Sequence, residues 1–350
     1  MENKQYLNIS ENLLGIDIGF NTVKIVEISK SGKPSLQTFA FAQAPEKAIY
    51  SLKKEDIEKT AQSIKIALKS AQIKKISTRV GVSGLPESKV FTKVIQLPRM
   101  TEDSLETAVP AEAAKHIPLP PNQIYFDWQY IGPTYNNQLD VLIVAAPNVL
   151  VDNYLQVFKI AGIDLIALET KPIAAARALI PANSQEPIMI FDFGAEAIGI
   201  SIIENHNIRF TYTLPHGSNN LTRVISQKLK INLNQAEIYK RDIGFIKNDK
   251  SPNIYQILEP VLNDVIQEVK HAIDFYEKRS QPQKRITSIL ACGGGSLLPG
   301  LTKYIFEHTK KTANLGNPLI NLKSKSYRNF PINHSLRFTT AIGLALRERY

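Results

Sequence analysis

The chain has 350 residues, enough for two compact units or one split domain with insertions. Hydrophobic residues make up 43% and charged residues 21%, which excludes a disordered chain. The single cysteine, Cys292, excludes a disulfide framework and points to a reducing compartment. The formal charge is +10, carried by residues scattered along the chain, such as Lys53, Lys65, Lys74, Lys323 and Arg328. No zinc spacing or aromatic-basic motif accompanies them, so nucleic acid is the weaker partner and an anionic membrane face the better one. No apolar run reaches the roughly 18 residues of a membrane span. Residues 1–11 are polar and lack a signal-peptide core, so 1–12 read as a flexible tail of a cytosolic protein.

Strand and helix patterns alternate from there. Residues 13–20 and 23–29 are apolar runs split by Asn21-Thr22, and 36–42 is a third strand. A helix is predicted over 53–71, with Ile57, Ile64 and Leu68 on one face, then a short strand over 79–84. Strand 90–97 stops at Pro98. Thr101 is placed to cap a helix towards His116, which Pro110 should bend or divide. Strands 124–131 and 139–146 and a helix 149–161 ending at Gly162 complete a small α+β unit. A second series follows: strands 188–193, 197–204 and 208–214, with Asn205-His206-Asn207 as a hairpin turn. Helices are predicted over 219–230, 234–242 and 253–279. The last is the strongest, with apolar residues at helical spacing from Ile254 to Tyr276. Strand 286–291, a glycine loop, helix 298–310 and a final helix 339–349 end the chain.

Three glycine loops carry the chemistry. In the first, Gly15 to Lys24, Asp17 at a strand end can hold water around a magnesium ion. Gly19 lets backbone N–H groups approach a phosphate, and Thr22 and Lys24 add a hydroxyl and a charge. The second, Asp192-Phe-Gly194, repeats that design at the start of the other half. The third, Gly293-Gly294-Gly295-Ser296, leads a strand into a helix and leaves room for a flat adenosine. An isolated Asp-x-Gly is usually a turn and an isolated glycine run a linker. Two such loops about 175 positions apart with a glycine turn last suit two duplicated lobes closing on one nucleotide.

In these loops the chain resembles the actin, heat-shock ATPase and sugar-kinase superfamily. Within it, the segments 14–27, 94–98, 113–118, 142–146, 236–240, 293–301 and 341–347 are similar to the PilM family of type IV pilus assembly. The resemblance implies an α/β actin-like ATPase fold of two ribonuclease H-like lobes around a nucleotide cleft. The first lobe would be 13–182 with 335–350 and would contain an inserted 1C-type subdomain, 87–162. The second would be 183–334, with 231–285 as its outer helical part. Small residues in the crossing helices (Ala174, Ala175, Ala176, Ala341, Gly343, Ala345) suit close approach.

The resemblance also implies residue roles. Asp17 and Asp192 would face magnesium through water. Gly19, Asn21, Thr22, Lys24 and Gly194 would hold the phosphates of ATP. Glu237, Lys240 and Arg241 would meet ribose and adenine, although taken alone Glu237 and Lys240 read as an exposed ion pair. Gly293, Gly294, Gly295 and Ser296 would bed the adenosine. The implied function is an ATP-binding platform on the cytoplasmic face of the inner membrane. It would hold the N-terminal cytoplasmic tail of a PilN-like bitopic protein, in a groove between lobe one and the inserted unit, alongside other pilus inner-membrane and motor components. Self-association is left open.

The sequence also departs from the family pattern. Ala195 and Ala197 stand where hydroxyls would touch the γ-phosphate, Glu196 is the only acid left in that loop, and Glu169 opens a Glu-x-x-Pro segment where relatives have Glu-Pro. Binding is advertised more clearly than hydrolysis. The alternatives are an FtsA-like division filament, whose C-terminal tether is not expected here, and a sugar or acid kinase, whose substrate pocket the sequence does not advertise. The six histidines show no zinc spacing, and Cys292 reads as structural.

Overall fold

The computed structural model describes residues 12–46, 53–133, 138–247, 253–280, 284–328 and 330–347. The expected tail, up to residue 11, and the last two residues of the expected final helix lie outside them. In chain order, β1 (Asn12–Ile18), β2 (Thr22–Ser29) and β3 (Ser35–Gln43) lead to α1 (Lys54–Lys69) and β4 (Val80–Leu85). Then come β5 (Phe91–Leu97), α2 (Glu102–Ala113), β6 (Ile124–Pro133), β7 (Leu139–Pro147), α3 (Asn148–Ala161), β8 (Asp164–Thr170) and α4 (Lys171–Leu179). The second half is β9 (Ile188–Phe193), β10 (Ile198–Glu204), β11 (Asn207–Leu214), α5 (Ser218–Leu229), α6 (Leu233–Asp242) and α7 (Ile254–Arg279). It closes with β12 (Ser288–Cys292), α8 (Leu301–Thr309), β13 (Thr312–Leu315) and α9 (Thr339–Ala345).

The chain divides into two compact units. One is Met1–Pro86, Pro147–Ala182 and Asn317–Tyr350; the other is Glu87–Ala146 and Asn183–Gly316. Each holds a five-stranded sheet of one design, ordered β3-β2-β1-β4-β8 in the first and β11-β10-β9-β12-β13 in the second. In both, three strands form an antiparallel meander and two more join in parallel beside its first strand. The repeated Asp-x-Gly loop is thus the sequence trace of a repeated topology. β1 is buried from Leu13 to Ile18, as a strand covered on both faces requires.

In the first unit α9 lies against β1 and α4. A Cβ at Gly343 would meet Ala174 O at 1.7 Å, and one at Gly15 would meet Ala341 O at 1.9 Å. These two positions exclude any side chain, because the helix backbone already fills the space. Beside them Glu169, buried at the end of β8, accepts from Arg177 at 2.7 and 3.0 Å and from Arg347 at 2.6 Å. Arg177 also donates to Gly343 O at 2.6 Å, which ties α4 to α9.

In the second unit α7 lays Leu258, Leu262, Val265, Val269 and Ile273 into the core, with Ile257 and Val261 partly buried at its margin. Asn253 caps it, accepting from Gln256 N at 3.2 Å. The β10–β11 hairpin forms where expected, but its loop is two residues, Asn205 and His206 at φ 51° and 61°, and Asn207 of the expected turn already pairs with Glu204. Of the expectations for α2, division at Pro110 and a cap from Thr101 are not met. Its helix runs unbroken through Pro110, which sits in the last turn where only one backbone bond is lost. Thr101 occupies the cap position, but its hydroxyl pairs with Ser104 Oγ at 2.9 Å and caps no N–H.

Of the segment 87–162 that the family resemblance joined to the first lobe, the inserted sheet, ordered β5-β7-β6, groups with the second unit and the part from Pro147 groups with the first. Polar contacts explain the grouping. Arg209 on β11 donates to Asp140 on β7 at 2.9 Å, and Thr211 donates to Glu87 at 2.7 Å. Arg209 also lies 3.1 Å from Glu204, and the Arg209, Asp140 and Glu204 side chains are 12%, 14% and 7% exposed. Replacing Arg209 with Met should leave two shielded carboxylates facing each other and weaken the insertion by about 2 kcal/mol. Hydrogen exchange of the β5 and β7 amides should accelerate ahead of β9 and β10. Unchanged relative protection would exclude this role.

Candidate nucleotide-binding site

In the first unit the β1–β2 turn is closed by Gly19 N donating to Thr22 O at 2.8 Å. Asn21 O accepts from Ala44 N at 2.9 Å, which fixes the loop to the end of β3. A Cβ at Gly19 would lie 3.1 Å from Thr22 O, 3.5 Å from Thr22 Oγ1 and 3.6 Å from Lys24 Nζ. Gly19, Thr22 and Lys24 therefore converge on one spot, and the missing side chain keeps it open. Asp17 pairs with Lys24 in the strand register, and Lys24 Nζ stands 3.6 Å from Asp17 Oδ2.

Sequence reading missed one residue here. Lys171, the first residue of α4, donates to Asp17 Oδ1 at 2.7 Å and to Ile18 O at 3.2 Å. It lies 154 positions away, so no periodicity or spacing reveals the pair. The one sequence signal was the departure at Glu169-Thr-Lys-Pro172, which places a lysine just ahead of the helix-starting proline.

Burial is the largest influence on Asp17 and pushes its pKa up. The charges of Lys171 and then Lys24, with their hydrogen bonds, outweigh it and hold the carboxyl below its ordinary 3.8. A folded value below the unfolded one stabilises fully above the unfolded value, and that contribution is lost as pH falls through the folded one. Asp17→Asn should therefore lower the melting temperature at neutral pH, with the deficit shrinking below about pH 4. Melting curves of both proteins across pH 7 to 3 test this. A deficit that stays constant would show that the ion pair contributes nothing.

In the second unit β9 and β12 run parallel, with Cys292 opposite Asp192, so the second and third glycine loops leave the same end of one sheet. The contact is close. A Cβ at Gly293 (φ 79°) would meet Asp192 Oδ1 at 2.4 Å, and one at Gly295 would meet the Phe193 ring at 2.6 Å. Ser296 is buried and donates to Gly293 O at 2.7 Å, closing its own turn, while Gly294 is exposed. Gly194 N donates to Ala197 O at 3.0 Å, and Gly194 O accepts from Ser218 N at 2.9 Å, which pins the loop to the start of α5.

α6 is joined to that start. Lys240 is 6% exposed and its Nζ donates to Ser218 O at 3.0 Å, to Ser218 Oγ at 2.8 Å and to Thr222 Oγ1 at 2.8 Å. It also pairs with Glu237 at 2.7 Å. The simple reading of an exposed pair thus holds only for Glu237, because α5 covers the lysine. Burial lowers the Lys240 pKa, and Glu237 partly restores it. Arg241 turns to its neighbour Asp242 at 3.0 Å and does not join the cluster. Glu196, the one acid of the second loop, accepts from Asn219 at 2.7 Å and Arg223 at 2.9 Å. It is held as an anchor and is not presented as a proton acceptor.

Each unit therefore carries glycine loops at strand ends, with cations or helix starts beside them. The family model for type IV pilus assembly protein PilM matches residues 15–349. The chain belongs to the PilM family. A solved PilM–PilN type IV pilus biogenesis complex is similar at 26% identity, covering 96% of this chain and 98% of that one, with a TM-score of 0.78. Cell division protein FtsA of Neisseria meningitidis serogroup B is 21% identical over 371 residues, covering 94% of this chain and 88% of that protein. MreB 5 of Spiroplasma citri bound to AMPPNP shares the fold, at 14% identity, coverage of 95% and 94%, and a TM-score of 0.52. The fold is that of the actin-like ATPases. Among the described residues no helix is long and apolar enough to cross a membrane.

Proposed function

We propose that this PilM-family chain is the nucleotide-binding component of a type IV pilus assembly complex. It works at the cytoplasmic face of the inner membrane, where it holds the N-terminal tail of a PilN-like bitopic protein. The observation that carries the reading is the likeness to the PilM–PilN complex over 96% of the chain. Asp17, Gly19, Asn21, Thr22 and Lys24 serve the phosphates from the first unit. The family resemblance also assigns Asp192, Gly194, Gly293 to Ser296, Glu237 and Lys240 to nucleotide contact.

The geometry favours binding over turnover. Phosphoryl transfer needs a positioned base, and Glu196 is committed to Asn219 and Arg223. Bound ATP would supply negative charge and a shape for the loops to close on. Its differential affinity for two conformations would then set how well the tail docks. An extended tail can be recognised by backbone pairing with a few side-chain pockets.

The test is a titration of the full chain with the cytoplasmic tail peptide of the PilN-like protein, with and without ATP, beside Asp17→Ala. Peptide binding that responds to ATP, and loses that response in the variant, is the expected result. Nucleotide binding with no peptide binding under any condition would overturn the platform. The FtsA likeness makes a membrane-bound filament the second reading, and ATP-dependent polymers on lipid in electron micrographs would favour it.

A further inference from the structure

Both oxygens of the Asp17 carboxylate face ammonium groups. Lys171 Nζ donates to Oδ1 at 2.7 Å, and Lys24 Nζ stands 3.6 Å from Oδ2. Lys171 also donates to Ile18 O at 3.2 Å, so its charge sits where the carboxylate and the end of β1 converge. The three side chains are shielded, with Asp17 8%, Lys24 18% and Lys171 21% exposed.

Lys171 does not reach this place from a loose loop. It opens α4 directly after the buried Thr170, with Pro172 fixing the first turn. α4 is in turn locked to α9 through Ala174 against Gly343 and through Arg177 on Gly343 O. The backbone of Lys171 is set by the core of the unit.

This arrangement does not fit the magnesium ion that the family resemblance places at Asp17. Magnesium keeps several waters and binds a carboxylate through its lone pairs, directly or by water. Here Lys171 takes one of those directions by a hydrogen bond of 2.7 Å, and Lys24 stands 3.6 Å from the other oxygen. A divalent ion in the same shell would stand beside two like charges in a partly dehydrated site, where repulsion is strong.

We infer that Lys171 is the resident cation of this site, standing at Asp17 where a metal would stand, so that the chain binds its nucleotide with little dependence on magnesium. The inference rests on the nucleotide-binding reading above. A bare Asp17 would repel a triphosphate. With Lys171 and Lys24 against it the cluster is net positive before any ligand arrives. Lysine supplies a compact point charge for attraction and none of the geometric demand of an octahedral ion. A nucleotide used as a structural ligand needs only that attraction.

The experiment is a fluorescence titration of the full chain with a labelled ATP analogue, in EDTA and in excess magnesium chloride. Wild-type affinity should change less than about threefold between the buffers. Lys171→Met should lose about tenfold or more in EDTA, the size of one charge-assisted contact, and recover part of it with magnesium. Lys171→Arg, which keeps the charge, should stay close to wild type in EDTA. Melting curves identify a variant that fails to fold, and the wild-type pair of titrations then decides with Lys171→Arg.

Wild-type affinity that collapses in EDTA would overturn the inference while leaving nucleotide binding intact. So would Lys171→Met binding as tightly as wild type in EDTA. Absence of binding in both buffers would remove the nucleotide reading itself.

Discussion

Replacing Gly343 with alanine should unfold or severely loosen the first unit. Alanine is the best helix former, and in an ordinary exposed helix the change would stabilise by about 1 kcal/mol. Here the sign reverses, because the new methyl would lie 1.7 Å from Ala174 O and only 2.4 Å from its carbonyl carbon. Neither is the end of a flexible side chain. α9 would have to move off α4, breaking the Arg177 bond to Gly343 O and opening the contact with β1 at Gly15. Such overpacking costs about 3 kcal/mol or more, a fall in melting temperature of roughly 6–12 °C. Gly199→Ala is the control, since its methyl would meet only Asp192 Cβ at an ordinary 3.8 Å. If the two variants melt together, the close helix approach is not what holds the unit.

The second large effect is expected at Glu169. Its side chain is 4% exposed and anchors two guanidinium groups, Arg177 in a fork of two bonds and Arg347 by one. Glu169→Gln keeps the shape and removes the charge, leaving two positive groups together without their counter-ion. Breaking a buried pair costs 3–5 kcal/mol in general, about 3 here because Arg177 and Arg347 keep 26% and 30% exposure. Chemical denaturation should show that loss, and adding Arg347→Met should recover part of it by removing the repulsion. A double variant less stable than the sum of the two single ones would contradict the charge argument.

Much of the fold was legible along the chain because its signals are local. α7 announced itself by helical spacing of apolar residues over 26 positions, the β10–β11 hairpin by Asn205-His206-Asn207, and the end of α3 by Gly162, which adopts φ 73°. The glycine loops marked both sheet ends for the same reason: a residue without a Cβ is needed wherever backbone crowds backbone. Strands β8 and β13 were not read. β13 is four residues long, and β8 alternates weakly, so neither period stands out.

Of the site, the residues next to one another in sequence were found and the distant ones were not. Asp17, Gly19, Thr22 and Lys24 belong to a single hairpin, so their meeting is fixed by β1–β2 register. Gly293 and Asp192 were each marked by their own loops, yet their contact depends on β9 and β12 lying side by side. The sequence by itself determined the two-fold repeat, the helix faces and the loops able to approach a phosphate, because propensity and periodicity act over a few residues. The tertiary structure alone decided that Lys171 neutralises Asp17 and that α5 buries Lys240. It alone decided that Arg209 and Asp140 draw the inserted sheet to the second unit. Charges attract through space and burial is set by whatever packs on top, and neither leaves a period in the chain.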